Sequence, residues 1–340
     1  MGNEVLARAA RDAGAKLMFG YPITPSSEIL ETWAKFCQED KSLAFLQTED
    51  EEAAGFAMIG ACLAGVPAFT ATAGPGNVLM QDAFSLAEAL RLPTVAMIIQ
   101  RGGLSTSTVI YSQEEATLTC FGGNGEGFRI VYSTANLEEL YSFTLKAFRV
   151  AWQYRWPTFI LADGYQGKMK GEIDISSRFK VQSSKFFKPI LKKGVNLRNC
   201  YNLEEEMGKI INDYQREYER TRPEIEEFAE YETKDAKVIL LAHGIVAGAA
   251  KEAIGELRKE GIKIGLFRPI TLRPFPREAA YQILKSASQV ISIESARGQL
   301  SRIFKDELYE LKVPLREINR PAVGFTPEEI VKLIREGKYD

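Results

Sequence analysis

Apolar positions follow two alternating rhythms through the first half of the chain. Residues 4–13 space them three and four apart, which predicts a helix stopping at Gly14. Residues 16–19 read as a short strand broken by Gly20 and Pro22. Ser26 then opens a helix over 27–37 with Glu28 in its first turn. A strand over 43–46 precedes a helix over 51–65, whose Ala, Met and Gly suit close packing. Residues 67–73 form a strand ending at Gly74-Pro75-Gly76, and 77–90 form a helix. The apolar run 93–100 predicts a buried strand that ends at Arg101-Gly102-Gly103. A helix over 137–153 and a buried strand over 157–162 follow. Strands alternating with helices predict a parallel α/β sheet.

The pattern changes after Asp163-Gly164. Residues 171–234 are basic at first, then rich in Glu, Lys and Arg at helical spacing. They predict a charged connector, with one or two exposed helices over 203–231 and a solvated face. A second α/β unit starts near Ala236, with strands over 238–242, 262–267 and 289–293 and helices over 247–261, 278–286 and 301–311. The predicted division is therefore 1–170, 171–234 and 235–340.

Composition narrows the function. Hydrophobic residues make up 45% and charged residues 26%, with net charge −2, the balance of a globular protein. No basic tract marks a nucleic-acid surface, and no apolar run is long enough to span a membrane. The start, with Asn3 and Glu4 before a polar-patterned helix, does not resemble a signal peptide. Cys37, Cys62, Cys120 and Cys200 neither cluster nor form a C-x-x-C pair. They read as reduced thiols, which suits a cytoplasmic location. The single histidine, His243, argues against histidine triads and multi-histidine metal sites and reads as structural or as a subunit contact.

Ligands of parallel sheets bind where strands end. Four predicted strand ends are dense in Gly, Pro, Ser, Thr or charge: residues 20–26, 47–52, 72–77 and 100–106. Singly each is weak. Gly20-Tyr21-Pro22 can be a turn, Ser26 an N-cap, and Glu49, Asp50, Glu51 and Glu52 an acidic helix start. Arg101 can be half of a structural ion pair. Gly74-x-Gly76 lacks the third glycine of a dinucleotide fingerprint, and Ala162-Asp163-Gly164 lacks most of a diphosphate–Mg²⁺ motif.

Together the segments are far more specific. Gly20-Tyr21-Pro22-Ile23-Thr24-Pro25-Ser26 resembles the signature of alpha subunits of 2-oxoacid:ferredoxin oxidoreductases. Gln47-Thr48-Glu49-Asp50-Glu51-Glu52-Ala53-Ala54, continuing to Gly60 and Gly65, resembles the same family, as does Gln100-Arg101-Gly102-Gly103-x-Ser105-Thr106. Tyr154-Arg155-x-Pro157 and Leu161-Ala162-Asp163-Gly164 resemble the end of its first domain. Arg268-Pro269-x-x-x-x-Pro274-Phe275-Pro276 and Glu294-x-x-x-Gly298-Gln299-Leu300 are similar to its transketolase-C-terminal-like domain. The resemblance covers nearly the whole chain, least the connector. The connector and the Gly2-Asn3-Glu4 start are closer to the branched-chain 2-oxoisovalerate group than to the 2-oxoglutarate group.

The resemblance implies a pyrimidine-binding domain with a parallel sheet, followed by the transketolase-C-like α/β domain. It implies CoA-dependent oxidative decarboxylation of a 2-oxoacid, with electrons reaching ferredoxin through iron–sulfur clusters on partner subunits. Thiamine diphosphate would lie between this chain and a beta subunit whose own domain holds the diphosphate and Mg²⁺; gamma and delta subunits are further partners. No metal ligands are implied on this chain. On the same ground, Tyr21, Pro22, Ile23, Thr24, Glu51, Gly74 and Gly76 would face the cofactor, with Glu51, or else Glu49, sharing a proton with its pyrimidine. Thr24 would meet the substrate and Arg101 its carboxylate, while Gly102 and Gly103 would let backbone approach the ligand. Pro22 and Pro25 stiffen the turn that carries Thr24. The alternatives are another thiamine-diphosphate enzyme subunit, such as a transketolase-like or decarboxylase chain, and a non-catalytic scaffold of such a complex.

Overall fold

A computed structural model describes residues 1–174, 187–191 and 196–337. The remaining stretches of the charged connector lie outside the described residues. The first half follows the predicted alternation: α1 (Gly2–Asp12), β1 (Leu17–Gly20), α2 (Ser27–Glu39), β2 (Ala44–Gln47), α3 (Glu51–Leu63) and β3 (Ala68–Thr72). The predicted helix over 77–90 is instead two, α4 (Pro75–Leu79) and α5 (Gln81–Ala89), which meet at the buried Met80. Its start moves forward because Pro75 occupies the first turn, where its missing N–H costs nothing.

β4 (Val95–Gln100), α6 (Ala116–Phe121), β5 (Ile130–Ser133), α7 (Leu137–Tyr154), β6 (Thr158–Asp163) and α8 (Gly164–Lys168) complete this part. Its sheet has the order β10-β5-β6-β4-β3-β1-β2, where β10 (Thr271–Arg273) comes from the second unit and pairs antiparallel with β5. Every other pair is parallel.

The connector contributes one long helix, α9 (Glu204–Ile225). Its last residues form β7 (Phe228–Tyr231) rather than a helix. β7 pairs antiparallel with β9 (Ile264–Pro269), which makes it an edge of the second sheet. That sheet has the order β12-β11-β8-β9-β7, built from β8 (Val238–Leu241), β11 (Gln289–Glu294) and β12 (Leu315–Asn319), and is flanked by α10 (Gly244–Lys259), α11 (Arg277–Leu284), α12 (Gln299–Glu307) and α13 (Pro327–Glu336).

Close packing behind the first sheet is specific. Gly55 on α3 leaves no room for a side chain, since a Cβ there would lie 2.6 Å from Cβ of Ala83 on α5. Phe69 meets Trp33 edge to face at 4.9 Å. The motif Glu294-x-x-x-Gly298-Gln299-Leu300 has a local cause: the buried Glu294 accepts from the amides of Leu300 (2.9 Å) and Ser301 (3.2 Å) at the start of α12. All four cysteines are free thiols, and burial pushes Cys62 and Cys120 up to about 12. Among the described residues, no helix is long and apolar enough to cross a membrane.

Candidate active site

β4, β3, β1 and β2 are neighbours in that order and run parallel. Their carboxyl ends therefore bring Gln100, Thr72, Gly20 and Gln47, and the loops after them, to one edge. The four predicted segments share this edge because the strands are adjacent in space, although not in sequence.

The acidic run after β2 separates into distinct roles. Asp50 is the N-cap of α3, its carboxylate accepting from Ala53 N at 2.7 Å. Glu49 and Glu52 are exposed, whereas Glu51 is only 5% exposed. Burial raises the Glu51 pKa, with the charge of Asp50 adding and the Arg101 guanidinium opposing. A Cβ on Gly76 would lie 2.6 Å from Glu51 Oε1 and 2.1 Å from Thr72 Oγ1. Thr72 Oγ1 is itself buried without a hydrogen-bond partner.

Arg101 leaves the end of β4 and is 4% exposed. Its Nη1 donates to the Thr24 carbonyl at 2.7 Å, which ties the 20–26 turn to β4. Its Nε is buried with no partner, and no carboxylate lies within salt-bridge distance of it among the described residues. Gly74, with φ +52°, makes space on this side: a Cβ there would lie 2.5 Å from Arg101 Nε. The Gly74-Pro75-Gly76 turn thus holds the arginine against one glycine and the glutamate against the other.

The 20–26 turn exposes Tyr21, Pro22 and Thr24, with Ile23 half-buried. Ser26 stands at the N-cap position of α2, but its hydroxyl donates to the Ile23 carbonyl at 2.8 Å and makes no cap bond. Asn3, fully buried, donates to the Pro25 carbonyl (2.7 Å) and to Glu28 (2.8 Å), fastening the turn from behind. The space beside Gly102 is taken by Thr108, whose hydroxyl accepts from Gly102 N at 2.9 Å. Gly102 thus serves closure of its own loop, and Gly103 N donates to Glu114 at 2.6 Å.

Sequence reading missed Asn3 as a brace, and missed Glu115. Glu115 is 5% exposed and accepts from Gly74 N (2.8 Å), Arg101 N (3.0 Å) and Asn77 Nδ2 (3.0 Å). In sequence it is one of two glutamates before a short helix, which is an ordinary helix start. An asparagine two residues from a chain start carries no stronger signal.

Behind the edge lies a buried polar chain. Asp163 accepts from Gln100 Nε2 (3.0 Å), Ile245 N (2.6 Å) and Gln113 Nε2 (3.4 Å). His243 Nδ1 meets the Ser133 hydroxyl at 2.9 Å, and its ring is fully buried, a structural position inside this chain. Burial lifts Asp163 to about 7 and lowers His243 to about 3. Protonated Asp163 therefore contributes stability that is complete below about pH 4 and lost as pH rises through 7. Neutral His243 contributes stability present above about pH 6.5 and lost as pH falls toward 3. Between about pH 4 and 6.5 the two slopes oppose. Relative to the parent, Asp163→Asn is expected to make the pH slope of stability there more positive, by at most about 1.4 kcal/mol per unit, and His243→Gln to make it more negative. Urea midpoints at several pH values check this; parallel profiles for both variants and the parent would sink it.

Comparison with known proteins places the chain in a family. Residues 8–239 match the model described as pyruvate flavodoxin/ferredoxin oxidoreductase, thiamine diphosphate-binding, and residues 236–325 match pyruvate:ferredoxin oxidoreductase core domain II. A ketoisovalerate oxidoreductase subunit of Methanothermobacter marburgensis is 32% identical, over 89% of this chain and 88% of the relative. A 2-oxoglutarate synthase subunit of Methanocaldococcus jannaschii is 31% identical, over 88% of each. In fold, the chain is similar to a 2-oxoglutarate:ferredoxin oxidoreductase from Magnetococcus marinus solved with 2-oxoglutarate, coenzyme A and succinyl-CoA (TM-score 0.85, 24% identity). That likeness covers 98% of this chain and 64% of the other. A split-gene transketolase, an inactive tetramer, is also similar (TM-score 0.63, 16% identity, 98% and 95% covered). By the family match across two-thirds of its length and the relatives that cover most of the rest, the chain belongs to the 2-oxoacid:ferredoxin oxidoreductases, as a subunit that carries their thiamine-diphosphate-binding domain.

Proposed function

We propose that this chain is the alpha subunit of a complex that converts a 2-oxoacid and coenzyme A to acyl-CoA and CO₂ and passes the electrons to ferredoxin. The observation that carries the site assignment is the pair of charged side chains, Glu51 and Arg101, packed on the two glycines of one turn. Thiamine diphosphate, when bound, supplies the electron sink for loss of CO₂. Glu51 fits its pyrimidine end: a buried carboxyl with a raised pKa holds and shares a proton readily. Gly76 and Gly74 keep room beside the two charged groups, and Tyr21, Pro22 and Ile23 line the approach. Arg101 binds the substrate carboxylate through a planar fork that is nearly dry and lacks an anionic partner. Thr24, fixed by its carbonyl to Arg101, faces the same substrate.

The other wall of the site is assigned to a beta subunit that holds the diphosphate and Mg²⁺, with iron–sulfur clusters on partner subunits and gamma and delta chains completing the assembly. In support, the elements flanking Glu51 and Gly76 expose Phe45, Leu46, Phe56, Val78 and Leu79, each by 37–59%. Viologen reduction by the reconstituted complex, with coenzyme A and a panel of pyruvate, 2-oxoglutarate, 2-oxoisovalerate and an aryl pyruvate, tests the reaction and reads the substrate. The isolated chain should be inactive; oxidative turnover by it alone would refute the shared site. Gly76→Ala sets a methyl against Glu51 and Thr72, and overpacking of about 1–3 kcal/mol should weaken thiamine diphosphate binding by roughly tenfold. Cofactor titration of the complex measures it, and unchanged affinity would remove Gly76 from the cofactor site.

A further inference from the structure

We infer that Glu115 is a positioning residue for substrate binding, and that the second α/β unit holds it in place. A single oxygen, Glu115 Oε1, accepts the backbone amides of Gly74 and Arg101, the residues at which the chain leaves the β3 and β4 region for the site. The other oxygen accepts from Asn77 in α4. One carboxylate thus fixes the distance between the turn that seats Glu51 and the backbone that launches Arg101. No other side chain among the described residues accepts from both of those amides.

The segment carrying Glu115 is fastened from far along the chain. Gln113 N donates to the Ser295 carbonyl (3.0 Å), and Ser295 N returns a bond to Gln113 Oε1 (3.0 Å). The Ser112 hydroxyl adds a bond to the same carbonyl at 2.8 Å. Gln299 accepts from Thr117 N (2.8 Å) and donates to the Glu114 carbonyl (2.6 Å). Ser295 and Gln299 follow β11, so the second unit clips both sides of Glu115. The inference rests on the reading of Arg101 as the carboxylate-binding residue.

The test is a double-mutant cycle in the complete oxidoreductase complex, using the 2-oxoacid it turns over fastest. Glu115→Gln keeps the volume but has one acceptor oxygen and no charge. It is expected to raise KM for the 2-oxoacid by about tenfold, with kcat and KM for coenzyme A changed by less than about twofold. In the Arg101→Ala background the same change should alter KM by less than about twofold, because its effect runs through Arg101. Gln299→Ala, at a half-buried position, should raise KM in the same direction and serves if Glu115→Gln does not fold. If Arg101→Ala alone leaves KM unchanged, the carboxylate-binding reading falls and this inference with it. If Arg101→Ala raises KM while the Glu115 and Gln299 variants do not, or if their effects add in full to it, the inference alone is overturned.

Discussion

Glu51→Gln is expected to abolish turnover while the protein stays folded. Glutamine fills the same volume at the start of α3, and the N-cap bond from Asp50 is untouched. It cannot give up a proton, so the sharing that a carboxyl performs is lost. A drop of at least ~10³-fold is expected, equal to about 4 kcal/mol of barrier. Stability should hold or rise slightly, because burial already disfavours the ionised carboxylate at this position. Glu49→Gln is the matched control: that side chain is exposed, and turnover should change by less than about twofold. Viologen assays and thermal melts on both variants decide the matter, and the opposite ranking would show that the wrong carboxylate has been chosen.

Arg101→Ala should act on substrate binding. Hydrogen bonds to a charged group contribute about 1.5–3 kcal/mol, so KM for the 2-oxoacid should rise between about tenfold and a hundredfold. KM for coenzyme A should stay near its original value. Arg101→Lys restores the charge without the planar fork, and should recover only part of the loss. Removing a nearly dry guanidinium that lacks a carboxylate partner should not lower the melting temperature much, even though the bond to the Thr24 carbonyl disappears. If KM and kcat are both unchanged in Arg101→Ala, the residue is outside the site.

Much of this was legible in sequence because it is local. Alternating rhythms of apolar residues located β1 to β4 and α1 to α3; Gly and Pro marked the ends of β1, β3 and β4, and an acidic run the end of β2. The phase of α3 separates Glu51 from Glu49 once Asp50 is seen to be the N-cap. What escaped is short or depends on distant pairing. α6 has six residues, two of them threonines, and β5 has four, too few for a period to emerge. β10 joins the first sheet opposite β5, some 140 positions away in sequence, where no local pattern is informative. Glu115 has two backbone amides as partners, 41 and 14 positions back. Backbone groups leave no trace in residue type. α13 is different: Thr326-Pro327-Glu328-Glu329 spells out its reciprocal capping box, and attention to capping as well as apolar spacing would have found it.

β2 has a consequence for the life of the chain before assembly. It is the outermost strand of the first sheet, its four residues are all exposed, and Phe45 and Leu46 are among them. An open edge with bulky apolar side chains is a template for pairing with any other extended segment, including the same strand of another copy. A copy with nothing on that edge is therefore the species that clumps. Overproduced alone, this polypeptide should precipitate at lower concentration than when made together with whatever covers β2, and the yield of usable enzyme should follow the scarcer of the two.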